Sequence, residues 1–544
     1  MAISGHGGLG FHLAPFTELL PQHSTSFEPN LLATLAEQMR ASPDDPKDGP
    51  DPEENLHVPA GFTYFGQFVD HDLSFDSTSS LNPADRPPQG SHIPSNLRTP
   101  RLDLDCIYGD GPAAQPFMYE DDGATLILDG DDLARAANGR AIIGDKRNDE
   151  NRIVSGLQLG FIRYHNRIVK LLEPTKSWPA GALFEAARNE VRWAYQLVLV
   201  EDFLPRIIDP AVLSDLASAS GVDERRHRYA LYLEDKRSNL PREFVGAAYR
   251  FGHSGVRTGY RLNDDTLLPI FPGTDEPADQ LSLLGFGKAP AGENVTVDWR
   301  RFLPDEAPDA PVDETQRTPF DPSEDARPYL QYAYKLDPTI VDRLAILPEN
   351  VPEPDAEPEA AAVVAVPDAP RVSLALLNLL RGNAYGLPSG QAVSHALRQA
   401  GKPAPHIDLA DLVVRQDAGK RVVPGETGET QFFRWEQIDV KLRHHTPLWF
   451  YVLAEAQAPL RAAIPLGKDG SFPETLMLTG AGARTQLGWV GGRIVAEVFY
   501  GLLDTDAESV FRHKDAVGFK PRMAGNGRVC LLNLLDFGAV SSAN

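Results

Sequence analysis

The sequence predicts a mainly α-helical fold with long loops and few short strands. Three observations lead there: apolar stripes at steps of three and four, a scarcity of alternating segments, and an excess of proline and glycine. The clearest stripe covers residues 151–172, where Ile153, Leu157, Phe161, Tyr164, Ile168 and Leu171 share a face and Asp149 stands ready to cap the start. Residues 183–208 carry a similar period through Phe184, Val191, Ala194, Tyr195, Leu197, Val198 and Phe203. Residues 372–380 form a third helical run, which Gly382 is expected to stop, and residues 447–457 and 490–503 complete the set. Only residues 125–128 and 421–423 read as strands, which demotes sandwiches, barrels and dinucleotide-binding sheets.

The chain has 46 prolines and 45 glycines, and the prolines cluster in acidic stretches at residues 42–55, 304–328 and 348–370. Such segments bury little and resist helix formation, so they are expected to be solvated surface loops. They carry much of the net charge of −24, the balance of 76 acidic and 52 basic residues. That charge argues against a general nucleic-acid or anionic-membrane binder. With only Cys106 and Cys530, a disulfide scaffold, a thiolate zinc site and a cysteine-bound iron–sulfur cluster are excluded. Metal chemistry must then rest on the 14 histidines and on carboxylates. No apolar run reaches about 18 residues, so no transmembrane helix is expected. The first residues lack a basic and then apolar leader pattern. The expected location is cytoplasmic, or outside the cell after leaderless export. Gly5, Gly7 and Gly10 spell a G-x-G-x-x-G, but no strand precedes them and no βαβ unit follows, so a dinucleotide site is rejected.

Residues 62–75 read FTYFGQFVDHDLSF. Polar groups inside an apolar segment are costly unless each has a partner. Gln67 and His71 lie four apart and share a helix face, with Asp70 and Asp72 flanking the histidine. The residues alone allow either a solvated helix end or a buried base with anchoring carboxylates. The pattern resembles the distal helix of the animal-type haem peroxidases, the myeloperoxidase and lactoperoxidase family within the peroxidase–cyclooxygenase superfamily. The resemblance implies that His71 is the distal acid–base residue, that Gln67 lines the cavity, that Asp70 forms a haem ester and that Asp72 is a calcium ligand.

Other stretches agree, in order. Residues 99–109, TPRLDLDCIYG, alternate Thr99, Arg101, Asp103 and Asp105, so these side chains would share one face of an extended loop. Calcium takes six to eight oxygens, and the stretch resembles the family's calcium loop. It implies Thr99, Asp103 and Asp105 as side-chain ligands and Arg101 through its carbonyl, with Asp72 completing the set. Residues 144–151, GDKRNDEN, resemble the family's T-R-x-x-E with Lys146 for the threonine. Arg147 then matches the distal arginine and Glu150 a second ester-forming carboxylate. Asn151 replaces the methionine that makes a sulfonium link in myeloperoxidase, so that link is not expected. Residues 244–261, FVGAAYRFGHSGVRTGYR, resemble the proximal helix. They imply His253 as the iron ligand, Asn378 as its hydrogen-bond partner, and Arg250 and Arg381 as haem-side arginines. Gly386, Leu387 and Pro388 keep a family loop pattern that residues 383–385 do not. The pair His444 and His445 reads as surface or structural.

The resemblance spans about residues 62–503. It implies a single large helical haem-peroxidase domain, placed at residues 56–510, with an N-terminal extension and acidic loop at 1–55 and a C-terminal extension at 511–544. The implied cofactors are haem b, ester-linked through Asp70 and Glu150, and Ca2+. The implied reaction reduces hydrogen peroxide through the oxidised haem (compound I), with a halide, thiocyanate or small phenol as donor; a monomer is expected. Two alternatives stay open: a fatty-acid dioxygenase of the same superfamily, and a non-catalytic calcium-binding module. Dioxygenases of this kind place a tyrosine three residues before the proximal histidine. Arg250 holds that position here, with Tyr249 one place off, which favours the peroxidase.

Overall fold

The computed structural model describes residues 14–75, 95–175, 177–233, 239–273, 276, 281–288, 292–312, 329–347, 373–423, 428–478 and 483–539. The glycine motif at residues 5–10, residues 313–328 and the whole stretch 348–370 lie outside them. Helix makes up 44% of the structure and the strands pair only in twos and threes, so the mainly α class holds. The helices of eight residues or more are α1 (Pro29–Gln38), α2 (Gly61–Leu73), α3 (Arg152–Leu172), α4 (Ala182–Val198), α5 (Pro210–Ala217), α6 (Leu374–Ala384), α7 (Gly390–Gln399), α8 (Leu448–Ala463), α9 (Trp489–Thr505) and α10 (Leu531–Ala539).

The 151–172 stripe becomes α3 and buries Ile153, Leu157, Phe161, Tyr164 and Ile168 as expected, while Leu171, placed on the same face, is exposed. Its cap differs. Asn151, not Asp149, accepts from the amides of Ile153 at 3.1 Å and Val154 at 2.9 Å. Asp149 is held elsewhere by two hydrogen bonds from Arg135, at 2.7 and 2.9 Å. The 183–208 run forms α4, a π turn at Leu199–Phe203 and a short helix at Leu204–Ile207. Helix α6 runs through Gly382 to Ala384. One interior glycine costs only about 1 kcal/mol, too little to end a helix whose other residues are packed. The real stop is Gly386, whose φ of +58° suits glycine and turns the chain. Helix α8 likewise outruns its expected end and carries Pro459 inside it. Its Glu455 accepts from the amides of Val490, at 2.9 Å, and Gly491, at 3.2 Å, so one helix caps the next, α9.

The strand expectation falls short. The ten-residue strand Val413–Val422 pairs antiparallel with Glu429–Gln437, and Ser471–Pro473 adds a third strand. A register shift between Gln431 and Phe433 puts Phe432 and Phe433 side by side, which hides the alternation a strand would show. The expected strand at 125–128 is instead a two-residue pairing of Leu128–Asp129 with Asp132–Leu133. The acidic stretch 42–55 is not solvated throughout. Asp51, Glu54 and Asn55 are fully buried, with Tyr334 donating to Asp51 at 2.7 Å and Arg257 to Glu54 at 2.8 Å.

Helix α2 lies in the middle of the core. Phe68 stacks on Phe161 of α3 with centroids 5.0 Å apart. The Tyr249 hydroxyl donates to the Gly66 carbonyl at 3.1 Å, which ties α2 to the segment that ends in His253. Helix α10 lies against α3, where a Cβ on Gly160 would strike Leu535, so residues beyond 510 share the main core. Among the described residues no helix is long and apolar enough to cross a membrane.

Candidate active site

Helix α2 is buried except along one face. Thr63, Gly66, Gln67 and Asp70 are partly exposed, at the spacing of a single helical stripe. The 3-10 segment Ala248–His253 likewise leaves Arg250, Gly252 and His253 partly exposed. A Cβ on Gly252 would meet nothing within 4 Å, so open space borders His253. Leu374, Leu377, Leu380 and Arg381 form a partly exposed face of α6. Tyr249 thus ties together two histidine-bearing segments, each with a partly exposed polar face.

His71 is 5% exposed. Its Nδ1 lies 2.7 Å from Asn148 Oδ1, and its Nε2 lies 4.0 Å from Glu150 Oε1. Burial first, and then the Arg147 guanidinium, pushes its pKa down to about 4, so the imidazole is neutral at pH 7. Gln67 donates to Glu150 and accepts from Asn151 Nδ2 at 3.2 Å. The Ser74 hydroxyl donates to Asp70 Oδ1 at 2.9 Å. Gln67, Asp70, His71 and Glu150 are therefore gathered at one end of α2.

Arg147 is more restrained than the sequence suggests. Its Nη2 donates to the carbonyls of His71 at 3.1 Å and Ser74 at 2.7 Å and to Asp145 at 2.8 Å, and its Nε donates to Asp145 at 3.1 Å. The guanidinium also sits over the Phe75 ring, 4.7 Å from its centroid. Arg147 in turn holds the Asp145 carboxyl far below the usual carboxylate range, against its burial. Lys146 points outward, exposed.

On the facing segment, His253 Nδ1 lies 2.9 Å from Asn378 Nδ2. The Asn378 Oδ1 is buried without a partner. Turning the carboxamide over keeps its shape and brings Oδ1 to Nδ1, which gives the orphaned oxygen a donor. In that arrangement Nδ1 carries the proton and Nε2 is free to bind a metal. Burial, then the charges of Arg250 and Arg381, pushes the His253 pKa down to about 3 and keeps it neutral. Arg250 donates through Nε to the Val245 carbonyl at 2.8 Å.

The cation cluster differs from the extended loop expected. Leu104 adopts φ +61°, a left-handed conformation that costs a non-glycine residue about 1–2 kcal/mol, and a short helix Asp105–Tyr108 follows. This bend brings Asp103 and Asp105 to Asp72, with carboxylate oxygens from all three within 4.8 Å of one another. Both Asp72 oxygens and Asp103 Oδ1 are buried without hydrogen bonds. Burial, reinforced by each other's charge, pushes Asp72 well up and Asp105 up to about 8, although Arg98 acts against it. Unpartnered hard oxygens in a tight group are the donor set a calcium ion takes. Thr99 reaches Asp103 at 3.4 Å, while the Arg101 side chain is exposed.

Three partners escaped the sequence reading: Asn148 on His71, Asp145 on Arg147, and Arg98, which bridges Asp145 and Asp105. The dense polar run in residues 144–151 was the available signal. His444 and His445 are exposed, in keeping with a surface reading.

A family model described as animal haem peroxidase matches residues 94–272. That stretch holds the cation loop, Arg147, Glu150 and His253, but not α2 or Asn378. The peroxidase-like protein of Margaritifera margaritifera is 25% identical over 343 residues, 48% of this chain and 42% of that protein. Thyroid peroxidase of Homo sapiens is 27% identical over 135 residues, 24% of this chain and 14% of that protein. The chain thus spans less than half the length of these curated relatives. Among solved structures, peroxidase A from Dictyostelium discoideum aligns with a TM-score of 0.52 at 14% identity, over 97% of this chain and 93% of that one. That likeness is one of fold. A fatty acid alpha-dioxygenase from Arabidopsis thaliana aligns with a TM-score of 0.49 at 15% identity, over 96% of this chain and 76% of that one.

Proposed function

We propose that this chain, which belongs to the peroxidase–cyclooxygenase superfamily, is a haem peroxidase that reduces hydrogen peroxide at the expense of a small donor. The observation that carries the reading is a pair of neutral histidines, each with an asparagine against its Nδ1, on two segments that Tyr249 ties together. His253 Nε2 is the iron ligand in this reading, and Asn378 fixes its ring. Bound haem would supply the redox centre that accepts electrons from the donor and delivers them to peroxide.

The protein's own groups do the rest. His71 Nε2, neutral at working pH, would take a proton from one oxygen of peroxide and return it to the other. Arg147, held by Asp145, offers fixed positive charge near the oxygen on which negative charge grows. Gln67 donates a hydrogen bond at the same end of α2. Asp70 and Glu150 are the candidates for ester links to haem methyl groups. Asp72, Asp103 and Asp105, with Thr99 and the Arg101 carbonyl, are the candidates for a calcium ion, and Asp72 adjoins His71 in sequence. Arg250 and Arg381 are the candidates for haem propionates. A halide, thiocyanate or small phenol suits the donor role, because a chain of net charge −24 repels large anions more than small ones.

The test is an absorption spectrum of the purified protein before and after peroxide. A Soret band that shifts on adding peroxide, and that His253→Ala abolishes, is the expected result. A protein without a Soret band overturns the reading. Oxygen uptake with a fatty acid and no peroxide turnover would favour a dioxygenase instead.

A further inference from the structure

His71 has two chemically different sides. Its Nε2 faces the partly exposed Glu150, 4.0 Å from Oε1. Its Nδ1 faces the interior and meets Asn148 Oδ1 at 2.7 Å. Asn148 is fully buried in the 3-10 turn Lys146–Asp149, one residue after Arg147. Its Nδ2 donates to Gln158 Oε1 at 2.8 Å, and Gln158 is itself fully buried on α3.

A neutral imidazole carries its proton on one nitrogen, and the hydrogen bond at one nitrogen decides which. The carboxamide of Asn148 has one accepting end and one donating end. In this arrangement the donating end points to Gln158 and the end against His71 accepts. Nδ1 then carries the proton, and the lone pair stands on Nε2, on the Glu150 side. The reverse polarity, with both amides turned over, would make Nδ1 the acceptor and put the proton on Nε2. His71 would then have no base to offer.

Resting on the peroxidase reading, we infer that Asn148 is a positioning residue that holds His71 in its Nδ1–H tautomer. The reaction needs Nε2 as proton acceptor, and a residue that touches neither peroxide nor haem keeps it so. The contact is also a tether. It fixes the ring plane of His71 from behind, from a turn that carries Arg147 as well, so the two distal groups keep a common frame.

The test uses ferric holoenzyme and the rate at which cyanide binds, followed by the Soret shift. Cyanide arrives as HCN and binds as the anion, so its association needs a base at Nε2 but no turnover. Asn148→Leu, close in size but unable to accept, is expected to slow association about 10–100-fold, as loss of an orienting partner does at other histidine sites. Asn148→Asp keeps an acceptor at Nδ1 and is expected to stay near the wild-type rate. Equal rates in wild type and Asn148→Leu overturn the inference. So does an equal fall in Asn148→Leu and Asn148→Asp, because an acceptor kept at Nδ1 would then make no difference. If leucine prevents haem loading, Asn148→Ala takes its place under the same criteria. A wild type that binds haem and cyanide, and slows on His71→Ala, upholds the peroxidase reading whatever the Asn148 variants do. A wild type with no Soret band overturns both.

Discussion

The three carboxylates Asp72, Asp103 and Asp105 make a prediction with a change of sign in it. Their oxygens lie within 4.8 Å of one another. At an effective dielectric of about 20, that spacing gives a repulsion of about 3.5 kcal/mol for each ionised pair. Arg98, 3.1 Å from Asp105, offsets part of this for one member. Asp103→Asn deletes two of the three pairs. With a chelator present, the variant should therefore be more stable than wild type, by about 2 kcal/mol after screening and proton uptake have reduced the full Coulomb figure. With calcium present the order should reverse. A ligand at 1,000 times its dissociation constant stabilises the fold by about 4 kcal/mol. The variant, with one charged ligand fewer, binds more weakly and gains less. The assay is thermal unfolding followed by circular dichroism, in chelator and in millimolar calcium, for both proteins. A wild-type midpoint that ignores calcium would refute the site. So would a variant that is less stable than wild type by the same amount in both media, because that pattern marks an ordinary packing defect.

His71→Ala should leave the Soret band in place and slow the peroxide-dependent spectral change by about 10²–10⁴-fold, the usual worth of a general acid–base group; stopped-flow absorbance measures it, and an unchanged rate removes His71 from the role. Acid–acetone treatment should leave haem on the polypeptide, and Asp70→Asn combined with Glu150→Gln should release it; free extraction from wild type refutes both esters. Glu455, capping α9, has its pKa raised by burial from 4.5 to about 7. A raised carboxyl pKa means the folded state binds the proton more tightly, so this contribution is full below pH 4.5, is lost as the pH rises to about 7, and is flat above. The stability difference between wild type and Glu455→Gln should thus shift by about 3 kcal/mol across that window, against the wild type at high pH. Denaturant titrations at both ends check it, and a pH-independent difference would show that Glu455 does not titrate there.

Much of this protein is legible in its sequence because helical stripes and short motifs are local. The face of α3, the polar run of α2 and the order of the His71, Arg147, His253 and Asn378 segments all follow from residues near one another in the chain. The errors also have local causes. Asp149 is as good a cap as Asn151 until Arg135 claims it, and Gly382 looks like a helix end until Gly386 supplies the left-handed turn. The long hairpin was hidden by a bulge and a polar outer face.

What only the tertiary structure decided is which polar groups pair. Asn148 meets His71 across 77 positions, Arg98 reaches Asp145 across 47, and Asn378 meets His253 across 125. A side chain's type states what it can donate or accept, but a partner so distant is chosen by packing. Burial then sets the cost of leaving a group unpaired, and with it the pKa, the tautomer and the charge the site can use. The sequence by itself determined the helical class and the residues available for chemistry at the site. The fold determined that Arg147 is braced by Asp145, that Leu104 bends the acidic loop onto Asp72, and that His71 meets Asn148 through Nδ1.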